Sequence, residues 1–305
     1  MSHVFISYSK ENREYVRMPQ TRFYERLTAR GVPRGKQGRI VTPIDGAGAI
    51  WTPPDVSAVL PLPFDWCIVP AGAVTIEYGS WNRSRDRYSV RERRPFDLPA
   101  FAISRYPITT GQFHAFVEAD DGYTDPRWWA ASSAAAAWVI ARSGPLAPSA
   151  AGDDLPRTNI TWYEALAFTC WLSDRTAARI ELPTEQQWQR AAQGDDGRLY
   201  PWGVAFDRSR CNTSESGIWR LTPVTRYLEG ASPYGVMDLA GNVWEWTLSQ
   251  WARDIISVHG TAERVVRGGS WLDFQISART TARSANNPDG RGPSMGFRIV
   301  ALPGE

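Results

Sequence analysis

The chain has 305 residues, enough for one large domain or two modest ones, with 43% hydrophobic and 22% charged residues. Its 15 tryptophans imply a well-filled core or aromatic contact surfaces and exclude disorder along the whole chain. A formal net charge of +2, with no basic or acidic tail, gives no reason to expect a nucleic-acid partner, and no apolar run reaches the ~18–20 residues that cross a bilayer.

In chain order, Val4-Phe5-Ile6 reads as a strand, and Tyr15, Phe23 and Leu27 suggest an amphipathic helix that ends at Gly31. The stretches VFISYSKEN and FYERLTARG resemble the opening of a Toll/interleukin-1 receptor (TIR) domain over residues 1–30, and the resemblance stops there. A first strand and helix belonging to the main domain is the alternative. The N-terminus lacks the basic and then apolar layout of a secretory leader, so a cytoplasmic protein is expected. Residues 31–63 are rich in Gly and Pro and read as a linker or extended arm.

From Phe64 the chain changes character. Trp66-Cys67-Ile68-Val69 is a strand closed by Pro70-Ala71-Gly72. The arginines of residues 83–94 alternate with Tyr88 and Val90, as in a solvated hairpin or edge strand. Thr109 or Thr110 caps a helix with Phe113, Phe116 and Val117 on one face. Thr161 with Glu164, and Thr184 with Gln187, form capping boxes that open two further helices, the second stopped by Gly194. The Ala/Ser-rich residues 130–152 read as a mobile surface insertion, and short strands and loops follow Tyr200.

Four segments stand in one order: RIELPTEQQWQRAAQG (179–194), YPWG (200–203), YGVMDLAGNVWEWT (234–247) and RVVRGGSW…GFRIV (264–300). With FAISRYPITTGQFHAFVEA (101–119) they resemble the formylglycine-generating enzyme (sulfatase-modifying factor) family over residues 64–305. The resemblance implies an α+β, C-type-lectin-like fold with little regular secondary structure. It also maps a structural Ca²⁺ site onto Asp238, Gly241, Val243 and Glu245. Read from the residues alone, two carboxylates and two backbone carbonyls near the Gly241 turn make an oxygen-only cage suited to Ca²⁺. The alternative is that Asp238 and Glu245 only cap loops.

The family's oxidases use two cysteine thiolates after GGSW to bind Cu(I), and the resemblance puts Asp273 and Ala278 at those positions. Neither binds copper, so no copper is expected. Cys67, Cys170 and Cys211 lie elsewhere, in neither a disulfide nor a zinc pattern, and His3, His114 and His259 are scattered. A non-enzyme is the expectation, with an altered formylglycine-generating-enzyme-like oxidoreductase as the alternative and an accessory subunit as a third option.

Between GGSW and MGFRIV, residues 272–294 show neither helical nor strand period. This layout resembles the variable region of diversity-generating retroelement proteins, in which template adenines are randomised, typically in Asn codons. Of the residue types that such randomisation does not produce (Trp, Met, Lys, Gln, Glu), the window holds only Gln275. The expected ligand-binding positions are Leu272, Asp273, Phe274, Ile276, Ser277, Ser284, Gly290, Gly292, Pro293 and Ser294, facing a protein or small-molecule ligand. An ordinary family loop around a small pocket is the alternative.

Overall fold

The computed structural model describes residues 3–6, 16–19, 51–82, 87–142, 144–252 and 255–304. The chain divides into two units, Met1–Thr42 and Pro43–Glu305. In the first, β1 (His3–Ile6) pairs antiparallel with β2 (Val16–Pro19). The strand expected at Val4 is there. The expected helix does not begin at Tyr15, because Val16–Pro19 is extended, and its later residues lie outside the described ones.

The second unit is built on two four-stranded sheets. One has the order β3 (Trp66–Val69), β6 (Phe101–Ser104), β12 (Val300–Leu302), β7 (Arg179–Glu181), all antiparallel. The other has the order β10 (Arg283–Asn286), β9 (Arg264–Arg267), β8 (Trp244–Gln250), β11 (Met295–Phe297), with β11 parallel to β8. Of the Arg-rich stretch, Arg87, Arg91, Arg93 and Arg94 lie on β5 (Arg87–Leu98), which pairs antiparallel with β4 (Gly72–Asn82), and Arg83 and Arg85 lie outside the described residues.

The helices start where their caps dictate. Thr109 receives the Gln112 amide and Gln112 answers the Thr109 amide at the head of α1 (Thr110–Glu118). The same reciprocal pair opens α3 (Trp162–Thr176) with Thr161 and Glu164, and α4 (Glu185–Gln193) with Thr184 and Gln187. The first four N–H groups of a helix have no intrahelical partner, so each box removes part of a real penalty. Helix α3 buries Phe168, Trp171 and Leu172 against Phe113 and Phe116 of α1, and Phe168 meets Phe297 of β11 edge-on at 5.4 Å between ring centroids. Six of the 15 tryptophans, Trp128, Trp129, Trp138, Trp162, Trp171 and Trp246, are buried in this same core.

Two expectations need correction. Residues 130–152 contain a helix, α2 (Ser133–Ile140), N-capped by Ser132, and its Trp138 is buried against Trp129. One large aromatic in an Ala-rich run is enough to tie that run to the core. Residues 51–63 are no free arm either. Val56 and Leu60 are buried, and the Gln112 side chain donates to the carbonyls of Pro61 and Pro63. Residues 31–50 of the expected linker lie outside the described ones.

Candidate functional site

After β9 the backbone turns sharply at Gly268 and Gly269, both with positive φ. A Cβ on Gly269 would stand 2.9 Å from the Ser277 carbonyl, so only glycine lets the two ends of the next loop approach this closely. That loop folds on itself: Asp273 N–H donates to the Ser270 carbonyl, Ser277 N–H to that of Phe274, and Ala278 N–H to that of Gln275. Ala278, fully buried, closes it against Tyr200, Cys211 and Ala240. Between these ends Leu272, Phe274 and Ile276 expose 47%, 68% and 37% of their surface.

Asp273 points the other way. Its Oδ2 accepts from Trp244 Nε1 at 2.8 Å and from the Ser270 hydroxyl. The loop is fastened to residues 212–222 by Ser214 N–H donating to the Asp273 carbonyl at 2.9 Å and Gln275 N–H donating to Glu215 Oε1 at 2.8 Å. Burial raises the Glu215 carboxyl, but hydrogen bonding, first of all from the Gln275 amide, outweighs it and holds the group below its ordinary range. The neck of the 212–222 loop is clamped by Asn242, whose Oδ1 accepts from Asn212 Nδ2 and Thr222 N–H.

The rest of the 272–294 window is built differently. Ser277 is half-buried, and Ser284 lies half-buried in β10. Trp162 N–H donates to the Pro288 carbonyl, and Gly290 N–H to that of Asn287. The Gly292 carbonyl accepts from Asn159 N–H, the Pro293 carbonyl from the Ser149 hydroxyl, and the Ser294 carbonyl from Trp244 N–H. The structure therefore brings Leu272, Asp273, Phe274 and Ile276 together on one exposed loop. It places Ser284, Gly290, Gly292, Pro293 and Ser294 on segments whose backbone is bonded to the scaffold. Residues 283–286 form the regular ladder of β10, and the backbone of 287–294 is held by irregular bonds of this kind while Pro293 stays exposed.

Two residues outside the window, Glu215 and Trp219, lie on the 212–222 loop to which the exposed loop is fastened. Glu215 anchors it, and Trp219 stands at φ +54° with 60% of its surface exposed. The sequence signal was slight: a tryptophan inside a polar, Gly-containing run (NTSESGIWRLT).

The residues expected to hold Ca²⁺ do not fit it as a set. The Glu245 carboxylate is fully buried and held by Arg298, Nε to Oε2 at 2.6 Å and Nη2 to Oε1 at 2.7 Å, with Trp188 Nε1 donating to Oε2. A carboxylate whose two oxygens already face a guanidinium is not open to a divalent cation. The Gly241 carbonyl accepts from Val243 N–H. Asp238 is buried, its Oδ2 accepting from Asn242 Nδ2, and burial pushes its carboxyl up to about 7. Among the described residues no three His, Cys, Asp or Glu side chains converge as metal ligands.

The three thiols are unpaired and kept apart. Cys67 packs with Val69 and Trp188, Cys211 with Tyr200 and Ala278, and Cys170 against the α1–α3 core. Burial pushes Cys67 and Cys211 up to about 12 and Cys170 up to about 11. A reactive cysteine needs the opposite shift, toward thiolate at neutral pH.

The profile of the Sulfatase-modifying factor enzyme 1-like domain matches residues 64–302. The chain belongs to this family. It is 30% identical to mouse (Mus musculus) inactive C-alpha-formylglycine-generating enzyme 2 over 254 residues, covering 69% of this chain and 78% of that one. It is 28% identical to hercynine oxygenase of Mycolicibacterium smegmatis over 268 residues, 76% of this chain but only 60% of the enzyme. Treponema denticola variable protein 1 superposes with a TM-score of 0.52 at 19% identity, covering 78% of this chain and 95% of that one. The fold is thus α+β and C-type-lectin-like, of the formylglycine-generating-enzyme type, shared by enzymes, an inactive relative and a variable protein. No helix among the described residues is long and apolar enough to cross a membrane.

Proposed function

We propose that this chain is a non-catalytic recognition domain that binds a protein or small-molecule ligand, not nucleic acid or membrane, through the loop carrying Leu272, Asp273, Phe274 and Ile276. One observation carries the reading. The loop after GGSW, where the family resemblance puts a redox sulfur pair, holds a carboxylate bonded to Trp244 and Ser270 and a buried methyl group, beneath three exposed apolar side chains. Large apolar groups offered to water at one place mark contact surfaces. Retroelement diversification of this loop is the finer form of the reading. A reverse transcriptase near the gene, with a near-copy of the segment encoding 264–300, supports it, and the absence of both removes it. The unpaired thiols suit a reducing, cytoplasmic setting.

The test is chemical. Purified protein incubated with copper, oxygen and a cysteine-containing sulfatase-type peptide is expected to give no aldehyde by mass spectrometry and no oxygen uptake above buffer. Turnover would restore the oxidoreductase reading.

A further inference from the structure

The residues from Trp271 to Ala278 fall into two sets. Trp271 packs in a hydrophobic cluster with Leu155, Leu221 and Val243, and Ala278 in another with Tyr200, Cys211 and Ala240. Leu272, Phe274 and Ile276 are exposed and belong to none of the hydrophobic clusters among the described residues. Asp273 lies between Leu272 and Phe274 in sequence, yet its bonds run to the scaffold. Its Oδ2 accepts from Trp244 Nε1 at 2.8 Å and from the Ser270 hydroxyl. Its carbonyl accepts from Ser214 N–H at 2.9 Å, and its own N–H donates to the Ser270 carbonyl at 3.0 Å. The Ser270 hydroxyl oxygen in turn accepts from Leu272 N–H at 3.3 Å. One carboxylate oxygen therefore joins the loop both to β8, through Trp244, and to the turn after β9, through Ser270.

Bonds to an ionised acceptor are shorter and stronger than bonds between neutral groups. The indole N–H of Trp244, a donor only and half-buried, has its acceptor in this carboxylate. Exposed apolar side chains cannot hold a loop, because they gain nothing from burial until a partner covers them. A loop that is ordered only at that moment adds its ordering cost to association, and one held beforehand does not.

Resting on the proposed recognition role, we infer that Asp273 is a positioning residue and not a contact for the partner. Its carboxylate latches the loop to Trp244 and Ser270, and so holds the backbone that carries Leu272, Phe274 and Ile276 in one conformation before anything binds. Where the family resemblance puts a redox thiolate, this chain has a fastening. Asparagine fits the same place: its oxygen can accept the two bonds, while its NH2 replaces the second carboxylate oxygen and the charge is gone. A partner group resting on the carboxylate would feel that exchange, and the latch would not.

The experiment has two readouts on the full-length protein. Hydrogen exchange without any partner follows the amides of Ser277 and Ala278, which donate inside the loop. Their exchange is expected to rise at least ~10-fold in Asp273→Ala and in Trp244→Phe, which breaks the same bond from the other side, and to return toward the wild-type rate in Asp273→Asn. The second readout is the affinity, by fluorescence anisotropy, of a synthetic peptide selected on the wild-type protein from a displayed library of random 12-residue peptides. Phe274→Ala, Asp273→Ala and Trp244→Phe are each expected to weaken it at least ~10-fold, about 1.4 kcal/mol, and Asp273→Asn to recover the binding lost in Asp273→Ala. Combining Asp273→Ala with Trp244→Phe is expected to add little to either alone, because both remove one bond. Unchanged melting temperatures show that the variants fold. If Phe274→Ala weakens binding while Asp273→Ala and Trp244→Phe change neither exchange nor affinity, the recognition role stands and the latch falls. If Asp273→Asn binds as poorly as Asp273→Ala with its amides still protected, Asp273 touches the partner and the inference is overturned. If no peptide is enriched, or Phe274→Ala leaves affinity unchanged, the recognition role falls and this positioning role with it.

Discussion

Replacing Glu245 by glutamine separates its two possible roles, counter-ion and calcium ligand. The Arg298 guanidinium is fully buried and spends Nε and Nη2 on Glu245, while Nη1 and Nη2 also donate to the carbonyls of Ser104 and Met237. Glu245→Gln keeps the shape but removes the charge, leaving a buried cation with a neutral partner. Breaking a buried pair from one side costs about 3–5 kcal/mol. For a unit of this size each kcal/mol moves Tm by about 2–4 °C, so Tm is expected to fall by about 6–20 °C. Differential scanning calorimetry in EGTA and in millimolar CaCl2 is the assay. As a counter-ion, Glu245 gives the same loss in both buffers. A loss of under about 1 kcal/mol in EGTA, or one that appears only when calcium is present, would refute the reasoning and return Glu245 to the metal.

The Asp238 carboxyl, raised to about 7 by burial, binds a proton in the folded state where the unfolded chain has lost it. Its contribution is therefore fully present below pH ~4 and is lost as pH rises through 7; Asp238→Asn, which tolerates the positive φ, should flatten the fall in urea-derived stability between pH 4 and 7, and a parallel profile for the two proteins argues against the shift. Thr161→Ala removes the buried capping box of α3 and is expected to cost about 1–2 kcal/mol by chemical denaturation, with no measurable loss counting against the cap. An aromatic disulfide reagent at pH 7 should leave Cys67 and Cys211 unmodified until the protein is unfolded; rapid labelling of either in the native state would contradict their burial.

What could be read from the sequence depended on how far apart the partners are. Thr161 and Glu164, or Thr184 and Gln187, are three residues apart, so their reciprocal bonds are written in the local spacing. The family phrases fixed the fold because several of them stand in one order along most of the chain. Glu245 was different. Its local companions suggested an oxygen cage, but its partner Arg298 is 53 residues further on, and nothing near either residue announces the pairing. Trp138 hid in an Ala/Ser-rich run whose composition suggested mobility, because one anchoring side chain contributes little to composition and much to packing. The exposed face of residues 272–276 was visible as a break in periodicity. The same break extended to 294, since hydrogen bonds to carbonyls such as those of Pro288 and Gly292 leave no side-chain pattern to read.

The fastening of the 270–278 turn has an evolutionary corollary. Its three backbone links, and the attachments at Ser214 and at Gln275 N–H, recruit amide and carbonyl groups of the turn that nearly every amino acid supplies, and its side-chain links sit at Ser270 and Asp273. Chemistry at positions 272, 274 and 276 is thereby uncoupled from conformation, and the side chains there can change without the scaffold having to be refitted each time.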